Sequence, residues 1–197
     1  MTNSGIQRHG LESFLHAVQN DGANASVDIQ IQPGLVHLNL RGNSEDAEFL
    51  AGAEKALGQP LPVKPNTTTF NEHRAYWLGP DEWLLISGST TLAAELQQSM
   101  AGTSATINDV SGGQLLLHLS GAAVRDVLAR GCTLDLHPGT FFVGMCAQSG
   151  LAKTSVLIGM TEPSGSFDIV VRRSFSDYLA RWLHHTAASF GVTFSTS

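Results

Sequence analysis

A chain of 197 residues that is 42% hydrophobic and 14% charged can bury a sizeable core, as one domain or as two small packed halves. Its net charge of −6, with Arg172-Arg173 the only adjacent basic pair, excludes a phosphate-tracking surface and so excludes nucleic acid as a partner. No apolar run approaches the roughly 18 residues of a membrane helix and no basic-then-apolar leader opens the chain, so no membrane contact is expected and the expected location is the cytoplasm.

Leu11, Phe14, Leu15 and Val18 recur at helical spacing and predict a short helix, ended by Asn20-Asp21-Gly22. Val27 to Gln32 alternates apolar and polar side chains, and Leu35 to Leu40 repeats the alternation after Pro33-Gly34. Two half-buried strands around a tight turn are predicted. Ser44 is placed to cap a helix whose first turn holds Glu45 and Asp46, favourable at the positive end of the helix dipole, and whose apolar face is Phe49, Leu50, Ala53 and Leu57. Gly58 closes it, and Gln59 to Thr69, rich in proline and threonine without a period, reads as a loop. Tyr76 to Leu78 and Trp83 to Ser87 flank the turn Gly79-Pro80-Asp81-Glu82 as strands, and a helix from about Thr90 to Met100 follows.

Gln114 to Leu119 is a short apolar run between Gly112-Gly113 and Ser120-Gly121, which suits a buried strand. Ser120 then stands as the N-cap of a helix over residues 121–130, with Val124, Val127 and Leu128 inward and Gly131 past its end. Strands near 153–160 and 167–171 precede a last helix over 175–190. Ser174 and Asp177 resemble a capping box, Gly191 supplies the stop, and Phe175, Tyr178, Leu179, Trp182, Leu183, Thr186 and Phe190 share one face.

The two halves echo one another. Gly42 after LVHLNLR matches Gly121 after QLLLHLS, and each half runs strand, helix, strands, helix. The expected fold is therefore α+β, with two packed ferredoxin-like or split βαβ units. The expected divisions are an extension over 1–25, a first half over 26–104 and a second over 105–197, the halves being able to form one compact unit.

Chemistry-bearing motifs are absent. No GxGxxG follows a strand, no GxxxxGK[ST] or HExxH occurs, and the nearest thing to a nucleophile elbow, Ser149 in QSG, lacks its first glycine. Cys132 and Cys146 lack a second ligand pair at zinc spacing and are expected as reduced packing thiols. His184 and His185 diverge by about 100° on a helix, poor geometry for one metal. His37 and His118 alternate with apolar residues on strands and are expected to be solvated or hydrogen-bonded, and His137 at an exit turn is expected to be structural. Asp109 reads as a turn or cap carboxylate. Arg172 and Arg173 can clamp a carboxylate or form an inter-subunit salt bridge, and with Tyr178 and Trp182 they are the candidate interface residues.

Three segments occur in order: DVSGGQLLLHLSGAAVRDVLARGCTLDLHP from Asp109, F-x-x-G-x-x-AQSGLAK from Phe141, and FDIVVRRSFSDYLARWL from Phe167. Together they resemble the gamma subunit of heterotetrameric sarcosine oxidase, over roughly residues 75 to 191. That family is itself similar to the folate-binding domains of aminomethyltransferases. The resemblance implies a non-catalytic subunit with no catalytic, cofactor or metal residues of its own, held mainly by an alpha subunit that binds NAD and carries a folate-binding domain. It implies a beta subunit with FAD, an FMN between alpha and beta, and a small zinc-containing delta subunit. The complex would demethylate sarcosine to glycine, releasing hydrogen peroxide and passing the one-carbon unit to tetrahydrofolate. The related aminomethyltransferases place an Asp where Asp109 stands and acids in a later strand, but Leu151 to Val156 here carries no carboxylate, as aminomethyl transfer would need. A stand-alone folate-binding or aminomethyl-transferring module, and a subunit of a related N-methylglutamate dehydrogenase, stay open at this point.

Overall fold

Strand periodicity of two builds two sheets whose apolar residues divide between an outer and an inner face. The computed structural model describes residues 10–18, 25–162 and 165–197, and the expected helix stop at Asn20-Asp21-Gly22 lies outside them. A short helix α1 (Glu12–Ala17) precedes strands β1 (Val27–Gln32) and β2 (Val36–Arg41) and helix α2 (Ala47–Leu57). Strands β3 (Thr68–Phe70), β4 (Arg74–Gly79) and β5 (Glu82–Ser87) lead to helix α3 (Leu92–Ser99) and strand β6 (Thr106–Asp109). The chain continues with β7 (Gln114–Ser120), α4 (Val124–Ala129), β8 (Cys146–Leu151), β9 (Thr154–Glu162), β10 (Ser166–Arg172), α5 (Ser176–Ala187) and β11 (Val192–Thr196).

One sheet has the order β11-β1-β7-β10-β9-β8 and the other β3-β4-β5-β2-β6. The sheets exchange strands: β1 lies in the first sheet between β11 and β7, parallel to β11 and antiparallel to β7, while β6 pairs with β2 in the second. Gly121 makes room for this insertion. Its φ is +118°, and a Cβ there would lie 2.3 Å from the Ser26 carbonyl oxygen, which accepts the Ala123 N–H at 3.1 Å.

The layers run helices, sheet, sheet, helices. Phe49, Ala53 and Leu57 of α2 and Leu92 and Leu96 of α3 cover Leu38, Leu40, Trp83 and Leu85 on the outer face of the five-stranded sheet. Leu11, Phe14, Val124, Val127, Leu128, Leu179 and Leu183 cover Ile29, Ile31, Leu115, Leu117, Leu119, Ile158, Ile169 and Val171 of the six-stranded sheet. Between the sheets, Tyr76, Leu84 and Ile86 meet Leu116, Cys146, Leu157 and Val170. The result is a mixed α+β fold with two facing sheets.

Three predicted caps are corrected. Asp46, not Ser44, caps α2: its Oδ1 accepts the N–H groups of Glu48 at 2.9 Å and Phe49 at 3.3 Å. A preceding turn, closed by the Asp46 N–H on the Asn43 carbonyl, delays the helix. Ser120 stays in β7 opposite Asp28, so α4 starts only at Val124, is six residues long and has no side-chain cap. Ser174 is taken up by a 3₁₀ turn over Arg173–Phe175, α5 begins at Ser176, and Asp177 pairs with Arg181 one turn on instead of closing a capping box. Strands β3, β6, β8 and β11 were not expected. The first is three residues at the end of the Pro/Thr-rich segment, β6 exposes most of its side chains, and β8 buries only Cys146 and Leu151 at its ends.

Candidate functional site

The inner faces of the two sheets carry the concentrated polar chemistry of the molecule. On β10, Asp168 lies directly opposite His118 of β7, and both point at the other sheet because their neighbours Phe167, Ile169, Leu117 and Leu119 belong to the outer core. Asp168 is fully buried. Its Oδ2 accepts from Tyr76 Oη at 2.6 Å and Arg74 Nε at 2.8 Å, both on β4, and its Oδ1 lies 2.9 Å from His118 Nδ1. A carboxylate only accepts, so it selects the Nδ1–H tautomer of His118. The next strand leaves space for this bridge: Gly159 faces Asp168, and a Cβ there would lie 2.6 Å from the Tyr76 ring. Burial and the adjacent carboxylate push the Tyr76 phenol well above its usual range, so it is a fixed donor and not a base. The cluster binds one sheet to the other, both oxygens of Asp168 are engaged, and among the described residues no buried side-chain polar atom is left without a partner.

Flanking groups are equally committed. His37 is buried, its Nδ1 donating to Gln114 Oε1 at 3.1 Å, and burial lowers its pKa below 6.5. Cys146 is a free buried thiol, pushed up to about 12 by burial, and donates to the Thr67 carbonyl. Cys132 is also free. Asp109 Oδ1 accepts both the N–H and the hydroxyl of Ser111, at 2.8 and 2.5 Å, and these bonds hold its pKa below the usual carboxylate range. His137 accepts the Gly139 N–H on its ring at 3.1 Å, a turn contact. Among the described residues no group of three His, Cys, Asp or Glu side chains converges as metal ligands would.

At the open end of the inter-sheet layer lies a cleft of about 430 Å³ walled by Leu84, Leu157 and Val170, with Gln114, Gln148 and Arg172 at its polar edge. The four candidate interface residues are placed unequally. Arg172 ends β10 and is exposed, Arg173 follows in the 3₁₀ turn, and Tyr178 is 38% exposed on the first turns of α5. Trp182 lies half-buried with its ring over Gly131, packed against the core. The Asp168 cluster was invisible to a search for motifs along the chain, because its members stand at 74, 76, 118 and 168. One signal was present: Asp168 is the only charged side chain in the apolar run from Phe167 to Val171.

A family model described as sarcosine oxidase, gamma subunit family matches residues 41–189. The chain belongs to the sarcosine oxidase gamma subunit family. It is 29% identical to the sarcosine oxidase subunit gamma of Corynebacterium sp. (strain P-1) over 191 residues, 95% of this chain and 93% of that one. Against the sarcosine oxidase subunit gamma of an Arthrobacter species the identity is 35% over 143 residues, 71% of this chain and 70% of that one. Its fold matches a chain in the structure of heterotetrameric sarcosine oxidase from Corynebacterium sp. U-96 in complex with pyrrole 2-carboxylate, with a TM-score of 0.84 at 27% identity, covering 93% and 95% of the two chains. Aminomethyltransferase T of the glycine cleavage system from Bartonella henselae shares the fold alone, with a TM-score of 0.63 at 17% identity over 87% of this chain and 48% of that one. In this gamma-family chain, then, the Asp168 cluster ties sheet to sheet, and the Arg172 and Arg173 side chains have no partner among the described residues.

Proposed function

We propose that the chain is the non-catalytic gamma subunit of a heterotetrameric sarcosine oxidase complex in the cytoplasm. The complex demethylates sarcosine oxidatively to glycine, with hydrogen peroxide released and tetrahydrofolate accepting the one-carbon unit. The observation that carries this reading is the near full-length likeness to a chain of the Corynebacterium sp. U-96 complex, at a TM-score of 0.84. FAD, FMN, NAD, zinc and tetrahydrofolate belong on this reading to the alpha, beta and delta subunits, and alpha is the principal contact. Arg172, Arg173, Tyr178 and the accessible part of Trp182 are its contact residues.

Local chemistry supports a scaffold role. Asp109, the carboxylate placed like one in aminomethyltransferases, is occupied by Ser111, and β9 offers no carboxylate near its start. A two-unit split βαβ architecture of the folate-binding-domain kind is part of the same proposal. The run β2-α2-β4-β5-α3-β6 with spatial order β4-β5-β2-β6 supports it, as does β7-α4-β9-β10-α5-β11 with β1 inserted beside β11.

Asp109→Asn in the assembled complex tests the non-catalytic reading. Sarcosine turnover per flavin is expected to equal that of the wild type. A fall in kcat of about 100-fold or more, the scale of a lost general base, would overturn it.

A further inference from the structure

Two arginines and two aromatic rings gather over a seven-residue stretch at the junction of β10 and α5. Every other arginine among the described residues has a partner: Arg41 pairs with Glu82, Arg74 with Asp168, Arg181 with Asp177, and Arg125 and Arg130 donate to carbonyls. Arg172 and Arg173 have neither an ion pair nor a side-chain hydrogen bond among those residues. Beside them Phe175 is 44% and Tyr178 is 38% exposed, two of the four large apolar side chains that the described surface leaves uncovered. Arg172 and Arg173 also line a shallow cleft of about 600 Å³ floored by Gly112 and Gly113, where nothing lies within 4 Å of a notional Cβ. Arg172 lines the mixed polar and apolar inter-sheet cleft as well, so one guanidinium borders both clefts.

We propose that this patch is the docking site for an extended acidic segment of a partner subunit, with carboxylates on Arg172 and Arg173 over the Gly112-Gly113 backbone and an apolar side chain against Phe175 and Tyr178. The inference rests on the subunit reading above and adds the chemistry of the partner. Charge complementarity carries it: two adjacent guanidinia without acids of their own are matched by anions, and the exposed rings beside them favour the carboxylates of a peptide over a free phosphate. Arginine and tyrosine beside an exposed phenylalanine is the composition of an interface anchor, whereas both clefts are too open to enclose a small molecule. The glycine floor admits a peptide backbone that any side chain there would hold away.

The test uses the complete complex, co-expressed with wild-type chain, with Arg172→Gln/Arg173→Gln, with Arg172→Lys/Arg173→Lys, and with Tyr178→Ala. Release of the chain is followed by size-exclusion chromatography at rising sodium chloride. The double Gln variant is expected to bind about tenfold or more weakly and to lose most of the salt dependence, and the double Lys variant to keep part of both. Tyr178→Ala is expected to weaken binding without changing the salt dependence. Thermal unfolding of the variants should match the wild type, since neither guanidinium has an internal partner, and the single Gln variants provide the same test if the double one does not fold. A double Gln variant that co-purifies at wild-type ratio with unchanged salt dependence overturns the docking site and leaves the subunit reading standing. A wild-type chain that fails to co-purify overturns the subunit reading and this inference with it. Loss of self-association in the isolated double Gln variant, with an intact complex, would make a second copy the occupant and overturn the assignment.

Discussion

Asp168 is a fully buried carboxylate that accepts from three side chains, two of them on the opposite sheet. Asp168→Asn leaves Arg74 beside a neutral amide, and the expected loss is about 3 kcal/mol, at the lower end for a broken buried pair because Arg74 retains contact with water. Tyr76→Phe removes one hydrogen bond to a charge and keeps the ring over Gly159, so the expected loss is about 1–2 kcal/mol, both being read by urea unfolding. Equal losses would contradict the assignment of Asp168 as the hub. His37 gives a pH dependence of known sign. Its folded pKa lies below 6.5, so the unfolded chain takes up the proton first; the contribution is complete above 6.5 and is lost as pH falls toward the lowered folded value. Wild type should therefore melt lower at about pH 5.5 than at about pH 7, and His37→Gln should narrow that difference. At this scale the sequence was legible where a residue's role is local. His118, His137 and Asp109 hold the hydrogen-bonded or turn roles expected of them. It was illegible where partners are distant in sequence, as for Asp168, Arg74 and Tyr76, whose meeting requires the facing of two sheets.

Helix faces were the most legible elements, since burial of one stripe is written in the spacing of Phe49, Ala53 and Leu57 and of Leu179 and Leu183. Their starts were less so. Asn, Ser, Glu and Asp occupy residues 43–46, three of them good caps, and only the turn closed by Asn43 decides that Asp46 takes the position. Asp46→Ala is accordingly expected to cost about 1 kcal/mol and Ser44→Ala under about 0.5, compared by thermal unfolding. A larger effect at Ser44 would show that the cap is misassigned. The edge strands were hidden for a different reason. β3 is too short to show a period, and β8 carries Ser149-Gly150, a turn signal by composition, while its pairing with β9 holds it extended.

For the whole molecule, the α+β character and the two-sheet plan follow from the doubled order of strands and helices, but the exchange of β1 between the halves does not. Parallel pairing of β1 with β11 joins Val27 to Val192, a contact that no local pattern encodes. That closure and the Asp168 bridge join the two sheets, and Arg172 and Arg173, unpaired among the described residues, lie with the exposed Phe175 and Tyr178 where β10 gives way to α5, the place of the proposed partner contact. The most direct test is affinity purification of this chain from cells co-expressing alpha-like, beta-like and delta-like subunits, with a visible absorption spectrum of the eluate. The prediction is flavin-coloured material containing all four chains at fixed ratio and oxidising sarcosine. A colourless eluate holding this chain alone, folded and soluble, would contradict the account.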